Sequence, residues 1–156
     1  EIAAVIGKVH PKVDARCKKG MTPLHVAAKC GKAEVAAEIV KLNADRHATA
    51  GRKWTPMHCA AFNGHKDTLL EIAGVSGTDV NMRNEDGRTP LHLATDGGHT
   101  ETVEMLVSIF HAEINAKDRK FFTPLSLAQM KGHKKVVKVL KQHGGVGRSV
   151  LDMMRP

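Results

Sequence analysis

The sequence predicts an all-α repeat protein, a stack of similar helical pairs, on three observations. The tetrapeptide Thr-Pro-Leu-His or a close variant begins at Thr22, Thr55, Thr89 and Thr123, at intervals of 33, 34 and 34 residues. A glycine follows each of these threonines after nine residues, and an apolar segment follows each glycine. A fixed period of this length is typical of a chain folded as stacked repeats.

Each Thr-Pro pair predicts the start of a helix of about two turns. A threonine hydroxyl can accept a hydrogen bond from a free amide of the first helical turn. Proline is favoured at the next position because its missing N–H would have no partner there. The helix is predicted to end at the glycine nine residues on, since glycine readily adopts the left-handed conformation of a helix C-terminus.

A second helix is predicted after each glycine. Its apolar residues recur at spacings of three and four and therefore share one face, which must be buried against a neighbour. In repeat two this face is predicted to contain Leu69, Leu70 and Ile72. The segments that follow, such as 79–90 and 113–124, contain Gly, Asn and Asp where turns need them.

Two turns depart from this pattern. Gly20 and Gly87 are replaced by Lys53 and Phe121 in repeats two and four. A left-handed conformation would cost a residue other than glycine about 1–2 kcal/mol. We therefore expect a different turn shape in these two repeats.

The chain resembles the ankyrin repeat family from about Val13 to Gly145. The resemblance lies in the TPLH motifs, in the Gly-His pairs at 64–65, 98–99 and 132–133, and in the DVN and IN segments at 79–81 and 114–115. It implies a solenoid of helix-turn-helix units joined by β-hairpin loops. It also implies a non-catalytic module that holds another protein in the groove formed by the hairpin tips and first helices.

The period divides the chain into an ankyrin repeat domain, 1–145, and a C-terminal tail, 146–156. The domain comprises a partial repeat, 1–16, and four repeats at 17–49, 50–83, 84–117 and 118–145. The partial repeat fits either a natural cap or the cut edge of a longer protein, and we favour the cut edge. The tail is either a flexible exit or an apolar strip through Val150, Leu151 and Met154 that covers the last repeat, and we favour the covering strip.

Histidine and cysteine are frequent but do not indicate a metal site or a cofactor. Six of the ten histidines recur with the repeat and are separated by the stack spacing, so they cannot converge on one ion. Cys17, Cys30 and Cys59 have no C-x-x-C spacing. Cys59 is expected to be a small core residue. No phosphate-binding or nucleophile motif is present, so an enzyme is not predicted.

The positions that the repeat leaves free predict the partner-binding surface. By the resemblance, residues around the turn and on the outer part of the first helix face the groove. Trp54 is the leading anchor, because Trp and Arg are enriched among the residues that dominate binding energy. The predicted contact residues are Lys18, Lys19, Met21, Lys29, Arg52, Trp54, Phe62, Arg88, Arg119, Lys120, Phe122 and Met130.

The net charge of +8 predicts an acidic partner. We expect a partly apolar protein segment with acidic residues, bound to a monomer. Binding of nucleic acid or another polyanion by the same basic surface is the alternative, and it would weaken steeply with salt. The sequence contains no run of 18 apolar residues, the length that would indicate a membrane span. Unpaired cysteines indicate a reducing compartment, so we expect the protein in the cytoplasm or nucleus.

Overall fold

A computed structural model describes residues 13–156 and shows four helical pairs in a stack. The first helices of the pairs are α1 (Pro23–Cys30), α3 (Pro56–Phe62), α5 (Pro90–Asp96) and α7 (Pro124–Lys131). The second helices are α2 (Ala33–Lys41), α4 (Lys66–Ala73), α6 (Thr100–Ser108) and α8 (Lys134–Gln142). A short helix, α9 (Val150–Met153), lies in the tail. The helix predicted in the partial N-terminal repeat falls outside the described residues.

The predicted helix starts are confirmed, and the predicted ends are confirmed for α1 and α7, whereas α3 and α5 end one residue earlier than predicted. The Thr22 hydroxyl accepts a hydrogen bond from the His25 amide, and the Thr22 amide donates to His25 Nδ1 at 3.1 Å. The same reciprocal pair begins α3, α5 and α7, with Ser126 in place of histidine in α7. Gly31 and Gly132 end α1 and α7 in the left-handed conformation, at φ 71° and 75°.

The core lies between a layer of first helices and a layer of second helices, and each layer packs along the stack. Leucine and isoleucine fill the space between the layers, and the alanine pairs Ala27-Ala28 and Ala60-Ala61 are buried where helices approach closely. Burial of one leucine or isoleucine side chain contributes about 1.5–3 kcal/mol. Since each helix also packs against its equivalent in the adjacent repeat, each repeat depends on its neighbours for stability.

Buried histidines link each repeat to the next. His25 Nε2 donates to the Trp54 carbonyl at 2.9 Å, His58 to the Arg88 carbonyl at 3.0 Å and His92 to the Phe122 carbonyl at 2.9 Å. Burial lowers the pKa of His58 and of His92 to about 4. Both rings are therefore neutral at pH 7 and hold the next turn through one N–H.

The loops between repeats are tight turns, and residues 13–156 contain no β-strand. Each turn nevertheless keeps the closing hydrogen bond of a hairpin, as between the Cys17 amide and the Met21 carbonyl at 3.0 Å. Adjacent turns are also joined, since the Glu85 amide donates to the Arg52 carbonyl at 3.0 Å. The hairpin loops that the resemblance implies are thus present without a strand ladder.

The predicted burial of Leu70 is wrong. Its side chain is 43% exposed, whereas Leu69 and Ile72 on the same helix are fully buried. Leu70 and Leu69 are adjacent in sequence and so point about 100° apart around the helix. The face that buries Leu69 and Ile72 therefore leaves Leu70 towards solvent.

The favoured interpretation of the tail as a covering apolar strip is also wrong. Val150, Leu151 and Met154 are 74%, 66% and 77% exposed. The tail is held instead by Asp152, which is 3% exposed and accepts from Lys117 Nζ at 2.6 Å. Because Asp152 faces inward on a four-residue helix that Ser149 caps, the neighbouring apolar side chains face outward.

Candidate protein-binding groove

The tips and first helices form one face of the stack, and we call this face the groove. The residue before each Thr-Pro pair lies at the same place in every turn: Met21, Trp54, Arg88 and Phe122. Its amide or carbonyl closes the turn, as in the 2.8 Å bond between the Ala50 amide and the Trp54 carbonyl. The histidine links described above fix the backbone of Trp54, Arg88 and Phe122, so their side chains project from rigid positions.

The turn of repeat four does not change shape, contrary to expectation. Phe121 adopts φ 63°, close to the φ of 73° at Gly87. Its turn keeps the same hydrogen bonds, and the Asp118 carboxylate accepts from the Lys120 and Phe122 amides at 2.9 Å each. These bonds hold a conformation that a non-glycine residue would otherwise avoid.

The turn of repeat two does differ. Both Arg52 and Lys53 have positive φ, at 58° and 57°, and Gly51–Lys53 form a short 3₁₀ turn. Ala50 occupies the position that Asn84 and Asp118 hold in the next two repeats, and its methyl group cannot accept the turn amides. The different shape therefore follows from the loss of a side-chain acceptor as well as of the glycine.

Predicted contact residues from repeats one and two meet around a single cavity of about 330 Å³, which we call the Trp54 pocket. The Trp54 and Phe62 rings pack edge to face, with centroids 5.4 Å apart. Phe62 is 41% exposed and Trp54 is half-buried. The other predicted contact residues that line the pocket are Lys19, Met21 and Lys29. The pocket is thus aromatic and apolar, with two ammonium groups at its edge.

Cys59 also lines the Trp54 pocket, which the sequence did not predict. Its side chain is 7% exposed, and desolvation raises the pKa of its thiol to about 11. The thiol therefore stays protonated at neutral pH and contributes apolar surface rather than a nucleophile. Its predicted role as a small core residue is confirmed.

The middle of the groove is neutralised by ion pairs within the chain. Arg52 contacts Asp86 at 2.7 Å and Glu85 at 3.6 Å. Arg88 is 25% exposed at its side chain and contacts the buried Asp118 at 3.2 Å and Asp96 at 3.8 Å. The acidic residues of repeat three thus pair with basic residues of their own repeat and of both adjacent repeats, and Arg88 braces two turns.

The tail covers the aromatic residues at the tip of repeat four. The Arg148 guanidinium lies 4.5 Å from the centroid of the Phe122 ring, and that of Arg155 lies 4.9 Å from Phe121. Arg88 and Phe122 are thus already in contact with charged groups of the chain, whereas Met130 remains 58% exposed.

Among the predicted contact residues, the cations without an ion-pair partner lie at the two ends of the groove. Five of these predicted residues are exposed basic side chains that make no ion pair with any residue of 13–156. Repeat one supplies Lys18, Lys19 and Lys29, and repeat four supplies Arg119 and Lys120. An acidic ligand would meet uncompensated positive charge at these ends.

Within the described part of the chain, no group of His, Cys, Asp and Glu side chains is arranged to hold a metal ion. Among the same residues, none of the helices has the length and apolarity needed to cross a bilayer.

A family model described as ankyrin repeats, in three copies, matches residues 3–74 and 68–149. These two stretches together cover nearly the whole sequence. No curated protein matches the chain significantly.

Proposed function

The chain belongs to the ankyrin repeat family, and we propose that it binds an acidic, partly apolar segment of another protein in its groove. Members of this family are generally protein–protein interaction modules. The observation that carries the proposal is the Trp54 pocket, an open apolar cavity bordered by ammonium groups. We also propose that the chain is non-catalytic and that binding is its activity.

The pocket suits one large apolar side chain of the partner. Its volume of about 330 Å³ can hold a leucine, methionine or phenylalanine side chain, and Trp54, Phe62 and Met21 provide the contact surface. Aromatic residues packed in this way lose little freedom on binding and often dominate interface energy. Phe62 needs no rearrangement to be reached, since it is already 41% exposed.

Acidic residues that flank the apolar side chain would pair with the lysines of repeat one. Lys19 and Lys29 both line the pocket, and neither forms an ion pair with the described residues. Such complementary charge raises the association rate and selects among partners more than it adds affinity. Arg52 is less suitable for this role, because Glu85 and Asp86 already neutralise it.

A second candidate function is binding of nucleic acid or another polyanion through α8. This helix has Lys134, Lys135, Lys138 and Lys141 and no acidic residue. All four lysines are exposed, and none pairs with a residue of 13–156. Phosphate contacts of this kind would give an affinity that falls steeply with salt.

Charge reversal separates the two functions. Partners would be captured from a nuclease-treated lysate, identified by mass spectrometry, purified and titrated against Lys19→Glu/Lys29→Glu and Lys134→Glu/Lys138→Glu. Both double variants change the net charge equally and alter exposed residues, so each serves as the control for the other. We expect the first to weaken binding at least tenfold and the second to change it less than twofold.

The opposite pattern, with loss confined to the α8 variant, would refute groove binding and assign the captured partner to the lysines of α8. Equal losses in both variants would refute a localised groove site. Circular dichroism of each variant would establish that the helices are retained.

A further inference from the structure

A second cavity lies on the layer of second helices, away from the groove. It has a volume of about 500 Å³ and lies between α4 and α6. Leu70, Met105 and Ile109 provide its apolar lining, and Lys66, Glu101 and Glu104 lie at its edges. It shares no lining residue with the Trp54 pocket. We call this surface the back groove.

The exposed leucine of the back groove is a departure from the other repeats. Leu70 lies five residues after His65, and the equivalent positions hold Ala37, Glu104 and Lys138. Leu70 is 43% exposed and Ile109 is 59% exposed. Neighbouring large apolar side chains on a surface are unfavourable in water and mark interaction sites when they adjoin a cavity.

The packing of the second helices opens the back groove at this place. The packing of α4 against α6 is looser than that of α2 against α4 or of α6 against α8. A single ion pair, Lys66 to Glu101 at 2.9 Å, bridges the two helices at the edge. The loops after α4 and α6 each contain one residue more than the loop after α2 by the repeat alignment.

The charge of this surface is opposite to that of the chain as a whole. The two helices have four carboxylates, on Asp67, Glu71, Glu101 and Glu104, and one ammonium group, on Lys66. The net charge of the two helices is therefore −3, and that of the residues lining the back groove is −1, in a protein of net charge +8. An acidic partner that suits the groove would be repelled here, so the back groove requires a different ligand.

We propose that the back groove binds a basic amphipathic helix of another protein. Its apolar residues, spaced by three or four, would contact Leu70, Met105 and Ile109 between the two helices, as a helix does in an apolar groove. Lysine or arginine side chains at the borders of its apolar face would pair with Glu101 and Glu104, which lie at the edges of the cavity. Since the two cavities are separate, the protein would bind this partner and the acidic partner of the groove together.

The probe for this proposal is a labelled synthetic helical peptide with leucine on one face and lysine at both borders of that face. Its affinity would be measured by fluorescence anisotropy, and its location by backbone amide shifts in NMR. A second peptide, with glutamate in place of every lysine, is the control for charge. We expect saturable binding of the lysine peptide, shifts centred on α4 and α6, and at least tenfold weaker binding of the glutamate peptide.

The protein variants use residues that the other repeats place at the same positions. Leu70→Glu copies Glu104 and Ile109→His copies His143, so both are compatible with the fold. We expect this double variant to bind the lysine peptide at least tenfold more weakly than the wild-type protein does. Leu151→Glu removes another exposed apolar residue, on α9, and should change its affinity less than twofold.

Several outcomes would overturn the proposal. They are the absence of saturable binding, equal binding of the two peptides, and equal weakening by Leu151→Glu. Sedimentation would identify the remaining occupant: a concentration-dependent dimer that Leu70→Glu dissociates would assign the back groove to a second copy of this chain. The proposal is independent of the groove, so Lys19→Glu/Lys29→Glu should leave peptide binding unchanged.

Discussion

Acidification from pH 7 to pH 5 should destabilise the protein through its buried histidines. His58 and His92 are fully buried, each donates to a backbone carbonyl of the next repeat, and each has a pKa of about 4. In the unfolded chain both return to an ordinary value of about 6.5. As the pH falls below 6.5, the unfolded chain binds protons that the folded chain does not. The contribution of these two histidines to stability is therefore complete above about pH 6.5 and is lost as the pH falls towards 4.

The magnitude follows from the two pKa values. One pH unit is worth about 1.4 kcal/mol for each proton, and pH 5 lies about 1.5 units below the unfolded value. Each histidine thus removes about 2 kcal/mol, and the two together about 4 kcal/mol, from a total stability of about 5–15 kcal/mol. His25, whose pKa burial also lowers, acts in the same direction. Asp152 has a pKa of about 2 against an ordinary value of 3.8, so its contribution to stability is lost only below that ordinary value. It therefore does not affect the comparison between pH 7 and pH 5.

Urea denaturation at pH 7 and pH 5 would measure this difference, followed by circular dichroism and by Trp54 fluorescence. Two probes are needed because a repeat protein can unfold in stages. His92→Gln should make the protein less stable at pH 7 but reduce the difference between the two pH values by about half. A wild-type difference below 1 kcal/mol, or a His92→Gln variant with an unchanged difference, would refute the reasoning.

Three further predictions concern the core, a turn and the tail. Leu106 is fully buried, so Leu106→Ala should lower the free energy of unfolding by about 2–5 kcal/mol, whereas Leu70→Ala, at an exposed position, should change it by less than 1 kcal/mol. Urea titration would measure both values, and similar values for the two variants would contradict the assigned burial. Lys53→Gly should raise stability by about 1 kcal/mol because it removes a non-glycine residue from φ 57°, and a lower melting temperature would argue against this turn. Asp152→Asn should weaken the contact with Lys117 and speed hydrogen exchange and proteolysis in residues 146–156. Asp67→Asn, at an exposed position, is the control. Unchanged protection in Asp152→Asn would show that Arg148 and Arg155 suffice to hold the tail.

The repeat itself could be derived from sequence because its signals are local. Thr22, Pro23 and Gly31 specify the bounds of a helix within nine residues, and the same signals recur three times. The period then places equivalent residues side by side, which is how Lys19, Trp54 and Phe62 were predicted to share a surface before the structure placed them around one cavity. Local hydrogen bonding and a fixed period are sufficient for this part.

The charge state of the groove depended on contacts that no local pattern contains. Arg52 and Arg88 were predicted as partner contacts. In the structure, Arg52 pairs with Asp86, 34 residues away, and Arg88 pairs with Asp118, 30 residues away. Whether such side chains meet depends on distances of an ångström or two between repeats. Phe122 is a similar case, since its ring lies under Arg148.

The sequence by itself determined the number of complete repeats and the bounds of their helices to within a residue, and it predicted which residues a partner would contact. It did so because capping, left-handed glycines and helical periodicity act within one repeat. Only the tertiary structure decided which basic residues remain unpaired, that Leu70 and Ile109 face solvent over a second cavity, and that Asp152 rather than Leu151 holds the tail. These features depend on how closely neighbouring repeats pack, and packing is a property of the whole stack.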